Sequence, residues 1–167
     1  LEDWSAKIVE KACISDLDDA ALKVAREKFK EKNSGEPFFK DIDKWDTATF
    51  LDKTKITING KITNTALLLL GKPEASHYLL SSVAEITWKL ETEEKAYEHF
   101  APPLLLNTTK VMQRIRNVKY KFFPNNELLA TEVIKYEPRV ILEALHNCIA
   151  HQDYHLHSRI IVTEKVD

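Results

Sequence analysis

Glycine is scarce in this chain: Gly35, Gly60 and Gly71 are all there are in 167 residues. No G-x-x-x-x-G-K-[ST] loop can be assembled from them, which excludes the phosphate cradle of a P-loop enzyme and leaves strand-separating ATPase chemistry without its usual machinery. Cysteine is rarer still. Cys13 and Cys148 stand far apart in helix-like surroundings, neither in a C-x-x-C pair; that excludes a disulfide framework and a thiolate zinc site and reads as a reducing compartment, the cytoplasm by default. Long apolar runs are missing too. The longest, residues 66–70, is far too short for a span of roughly 20 residues or for a signal peptide core. Neither sign of charge dominates, with 24 basic against 26 acidic residues, a net charge of -2 and a pI near 6.3, so a wholesale nucleic-acid-binding surface is excluded while a local basic patch is not. Internal repeats and low-complexity tracts are absent.

What is present is an ordinary globular composition, 44% hydrophobic and 30% charged, in a 19.3 kDa chain long enough for one full core or two small lobes. The first residue is Leu1 rather than methionine and the last stretch is "VTEKVD". Both suggest a segment of a larger protein, with part of the working machinery elsewhere.

Along the chain, residues 1–14 carry apolar positions without a period and read as an extended arm. A helix is expected over 16–32, capped by Asp16 or Asp18 and striped by Leu17, Ala20, Ala21, Val24, Ala25 and Phe29. "DTATFLDKT" predicts a second, capped by Asp46. "KITINGKIT" places Asn-Gly between β-branched runs, a strong hairpin signal. "TNTALLLLGKP" then predicts a short helix begun by Thr63 or Asn64 and ended by Gly71 and Pro73. A strand is expected in "SVAEITWKL", with Val83, Ile86, Trp88 and Leu90 as core candidates, whereas "ETEEKAYEHFAPP" reads as a polar surface connection. A helix over 104–115, strands 118–123 and 128–134 around a Pro-Asn-Asn turn, a helix opened by Pro138 and a strand in "SRIIVTE" complete the order. Helices and strands mix without a β-α-β repeat, which is an α+β pattern. Trp4, Trp45 and Trp88 are expected as core or interface anchors.

The chemistry-bearing stretch is "EALHNCIAHQDYHLH", residues 143–157. Beside an apolar stripe of Val140, Ile141, Ala144, Leu145, Cys148 and Ile149, the last helix would carry Glu143, Asn147 and His151 at four-residue intervals, one polar face. Such a face could line a nucleotide site, with an amide oxygen on magnesium and a carboxylate orienting water. It could equally be the solvated side of a surface helix. A zinc or manganese site would draw on His146, His151, Asp153, His155 and His157, although His146 and His151 diverge on a helix, and histidines near a helix C-terminus also simply suit the macrodipole. The pattern "HLHSRIIV" with Tyr154 beside it raises a metal-dependent nicking nuclease, with the tyrosine on the wrong element for that chemistry. Lys110, Arg114, Arg116, Lys119 and Lys121 in "KVMQRIRNVKYKFF" are candidates for phosphate contact or for a solvated charged face.

As a set, "LLLLGK", "AEITWKL", "YEHFAPP", "QRIRNVKYK" and above all "EALHNCIAHQDY" resemble bacterial transcriptional regulators and ATP-dependent DNA helicase RecG-related proteins. The resemblance implies an internal segment of a protein in which an AlbA-type, Schlafen-like DNA-binding domain precedes a GHKL-type ATPase-like domain. On it, residues 1–62 would be an arm and linker region, 63–135 an α+β connecting domain, and 136–167 the start of the GHKL-like unit, incomplete here. "EALHNCIAH" is similar to the N-box of GHKL ATPases, so the resemblance assigns Asn147 to Mg-ATP and Glu143 to the general base, and His151, one turn further along the same face, is a candidate for the same nucleotide wall. The glycine-rich boxes that complete such a site are not in this sequence. ATP and magnesium are thus expected for the whole protein and neither for this segment alone, DNA would be met through other domains, and self-association is a further expectation. The alternatives from other classes are a structural or oligomerisation module without nucleotide, and the metal-dependent nuclease.

Overall fold

The computed structural model describes residues 3–79, 84–117, 119–124 and 128–165; Val83 and the two asparagines of the expected Pro-Asn-Asn turn lie outside them. The fold is mixed α+β. No helix among the described residues is long and apolar enough to cross a membrane.

The N-terminal half is built by caps and short bridges rather than by long elements. A 3-10 turn at Trp4–Ala6 and another at Ile14–Asp16 replace the expected featureless arm, and Ile8 bridges to Thr63. Helix α1 (Asp19–Lys32) starts where Asp18 accepts from the Ala21 amide, satisfying one of the donors a helix start leaves unpaired. Asp46 does the same for α2 (Thr47–Lys53) through the Thr49 amide. Strands β1 (Thr57–Ile58) and β2 (Lys61–Ile62) form the hairpin, with Asn59 and Gly60 both at positive φ as the tight turn requires. The Asp52 carboxylate closes it, accepting from the Thr57 hydroxyl and the Gly60 amide.

Helix α3 (Asn64–Leu70) is the centre of the molecule. Thr63 caps it and Leu67 and Leu70 are almost wholly buried, packed with Leu17, Phe50, Leu51 and Ile62. The arm is stitched to it: the Asn64 side chain donates to the Trp4 carbonyl at 2.9 Å and the Asn64 amide to the Lys7 carbonyl at 3.0 Å.

The second half is a three-stranded sheet backed by helices. Strand β3 (Ile86–Glu91) is central, with β4 (Lys95–Phe100) antiparallel on one side and β7 (Ile160–Lys165) parallel on the other. Strand β4 overturns the expected polar connection. Its sequence alternates, putting Phe100 and Ala96 on the core side with Glu98 between them; Glu98 is tolerated there because Arg114 donates to it at 2.9 Å. Between β4 and β7 the chain forms α4 (Leu104–Arg114), a two-stranded ribbon of β5 (Lys119–Phe122) and β6 (Thr131–Ile134), and α5 (Pro138–His151). Trp88 of β3 anchors the sheet face. It is buried, donates its indole N–H to Glu164 of β7 at 2.8 Å, and lies 4.1 Å beneath the Arg114 guanidinium at the end of α4.

Candidate functional site

Helix α5 begins with Pro138 in its first turn, where a missing amide costs nothing. Its buried side is narrower than the sequence pattern suggests: Leu145 and Ile149 are buried and Ile141 half-buried, while Val140, Ala144 and Cys148 are exposed. At roughly 100° per residue the stripe 141–145–149 points at α4, and 140–144–148 falls too far round the helix to reach it.

Glu143, Asn147 and His151 do share one face, as their spacing requires, on the side turned away from that core stripe. All three are exposed. Among the described residues their side chains make no hydrogen bond or ion pair, so the face is a free row of carboxylate, amide and imidazole.

Among the described residues no three His, Cys, Asp or Glu side chains come together to hold a metal ion: His146, Asp153 and His155 line one cleft without forming such a group, and His157 lines another. His146 turns from the polar row toward a cleft. Partial burial lowers its pKa below the usual imidazole value, with the positive charge of Lys28 adding to the effect. His157 stands after the last turn, in the left-handed region at φ 50°. The basic stretch is largely occupied as well: Arg114 pairs with Glu98, and Lys119 and Lys121 both reach Glu132 across the ribbon, at 3.8 and 3.4 Å.

What sequence reading missed is the cleft itself, about 800 Å³ between the Trp4–Ala6 turn, α3, α4, α5 and the turn at Tyr154–Leu156. Its walls are mainly apolar, and Trp4 and Tyr154 stack at 4.4 Å beside it. The Tyr154 hydroxyl donates to the Ile149 carbonyl at 2.8 Å, satisfying one of the free acceptors at the end of α5. No local signal marks this site, because its two ends lie at opposite ends of the sequence.

Burial raises the Tyr154 phenol from 10.0 to about 12, since the phenolate would have to form away from water. The folded chain therefore keeps a proton that the unfolded chain gives up. The stabilisation is fully present below pH 10 and is lost as pH rises through about 12. Alkaline unfolding followed by circular dichroism should accordingly show wild type losing more stability between these pH values than Tyr154→Phe, and an absorbance titration should show one tyrosine fewer ionising near the upper value in the variant.

A family model described as a domain of unknown function (DUF8451) matches residues 1–86, from the arm through α3 to the first residue of β3. No curated protein and no solved structure matches the chain.

Proposed function

From the premise that the chain belongs to the DUF8451 family, whose description assigns no activity, we propose that it is a segment of a cytoplasmic bacterial regulator related to RecG-type helicases, and that α5 forms one wall of a magnesium-nucleotide site. Asn147 ligates magnesium through its amide oxygen, Glu143 serves as general base toward water one turn earlier, and His151 extends the same wall. The observation that carries this reading is the free polar row on α5 running beside an equally exposed apolar row of Val140, Ala144 and Cys148. A helix that merely solvates a surface has no use for the second row; a helix awaiting a further layer has use for both. The phosphate-binding backbone would come from glycine-rich segments that these 167 residues do not contain, and DNA would be bound by other domains.

The test is magnesium-dependent ATP binding measured by calorimetry on the longer protein carrying this segment. Asn147→Ala should weaken it by about tenfold or more, as loss of about 1.4 kcal/mol or more requires, with an unchanged melting temperature because the side chain is exposed and unbonded. Tight magnesium-dependent binding to the 167 residues alone would show that the site needs no further segment and would sink this part of the reading.

A second reading, a structural or oligomerisation module, is favoured by the residues between the two strands of the ribbon, where Phe123, Leu128 and Leu129 are 69%, 100% and 80% exposed. Unchanged nucleotide binding and unchanged regulation in Asn147→Ala would favour it over the first.

A further inference from the structure

The cleft beside α5 is a pocket with one-sided electrostatics. Leu68 and Leu69 from α3, Leu104 and Leu105 from α4 and Ile149 from α5 make its walls. Its volume of about 800 Å³ falls in the range of small-molecule sites. The lining contains two carboxylates, Asp3 and Asp153, two imidazoles, His146 and His155, and no lysine or arginine. Lys28, whose charge acts on His146, stands outside the lining.

The two carboxylates are placed by the same device. Asp3 caps the turn that carries Trp4, its Oδ1 accepting from the Ser5 amide at 3.0 Å and hydroxyl at 2.7 Å. Asp153 caps the turn that carries Tyr154, its Oδ1 accepting from the His155 amide at 3.0 Å. Trp4 and Tyr154 stack on one another beside the cleft, and the residue immediately before each of them lines it. Both aspartates are exposed, so they stand at its mouth with Oδ2 free of any hydrogen bond or ion pair among the described residues.

We propose that this cleft binds a small hydrophobic amine, its apolar body among Leu68, Leu69, Leu104, Leu105 and Ile149 and its ammonium at the mouth beside Asp3 and Asp153. The apolar walls supply the affinity, by removing roughly 25 cal/mol of unfavourable hydration per Å² covered. The carboxylates supply the choice of charge. An anionic ligand of the same shape would bring like charge to Asp3 and Asp153 with no lysine or arginine in the lining to offset it, and His146 is held toward its neutral form by burial. The assignment does not depend on the nucleotide reading of α5.

The experiment is a comparison of hexylammonium, 1-hexanol and hexanoate at pH 7 and low salt, followed by calorimetry and by methyl NMR of the 167-residue chain. Hexylammonium is expected to bind about fivefold more tightly than 1-hexanol, the scale of ion pairing at a solvent-accessible mouth, with hexanoate weakest. The perturbed methyls should be those of Leu68, Leu105 and Ile149. Replacing both carboxylates, Asp3→Asn with Asp153→Asn, keeps the caps, since asparagine caps as well as aspartate. The double variant should bring hexylammonium down to the affinity of 1-hexanol and leave 1-hexanol unchanged. Equal affinity for all three probes would mark an apolar groove of the kind that takes a polypeptide side chain, and would overturn the proposal. So would tightest binding of hexanoate, undiminished hexylammonium binding in the double variant, perturbation confined to the β5–β6 ribbon, or no binding of hexylammonium.

Discussion

Trp88→Ala is expected to lose about 3–5 kcal/mol of stability, the scale for deleting a buried aromatic side chain. Trp88 is 1% exposed and sits at the centre of the only three-stranded sheet among the described residues, where β4, β7 and the end of α4 converge on it. Three losses coincide. The ring leaves a cavity between the sheet and α4. The Arg114 guanidinium, which lies over the ring while pairing with Glu98 at 2.9 Å, loses the surface that positions it. Glu164 keeps the Arg116 amide at 2.8 Å but loses the indole donor, also at 2.8 Å. Trp88→Phe separates these contributions, because it retains most of the volume and removes the donor; its cost should be about 1–3 kcal/mol, that of leaving a polar partner without its hydrogen bond. Urea denaturation of the three proteins checks the order. Equal midpoints for wild type and Trp88→Ala would mean that the sheet does not depend on this anchor.

Gly71→Ala should cost about 1–3 kcal/mol, in the range of overpacking a filled site, although alanine is an ordinary residue for the backbone conformation observed. Gly71 ends α3 at φ -65° and ψ 140°, an extended conformation open to any residue, so the position does not call for glycine's freedom to adopt positive φ. The demand is space. A Cβ at Gly71 would overlap the Leu67 carbonyl oxygen, the same oxygen that accepts the Gly71 amide at 3.0 Å. The neighbouring backbone cannot yield easily, because Gly71 also bridges to Leu17 and the Leu70 carbonyl accepts from the Asp18 amide at 2.7 Å. A melting temperature unchanged by Gly71→Ala would show that the end of α3 relaxes freely.

Most elements were legible because their signals are local. Asp18, Asp46 and Thr63 act within three residues of the amides they cap, and Asn59-Gly60 carries its turn in its own backbone preferences. Strand β4 was not legible, since Glu98 breaks its apolar alternation and becomes acceptable only through Arg114, sixteen residues away. The face of Glu143, Asn147 and His151 followed from helical spacing alone. That Val140, Ala144 and Cys148 are left uncovered did not, because apolar periodicity does not say how wide a stripe the neighbouring helix covers.

By itself, then, the sequence determined the α+β composition, the cap-defined helices, the hairpin and the polar row on the last helix, all of which depend on residues within a turn or two of each other. Only the tertiary structure decided that β7 pairs in parallel with β3, that the histidines form no metal-holding group among the described residues, and that Asp3 and Asp153 line one cleft. Those features rest on contacts between residues tens to about 150 positions apart in the chain, which are selected by what buries the most apolar surface in the whole molecule and not by any local preference.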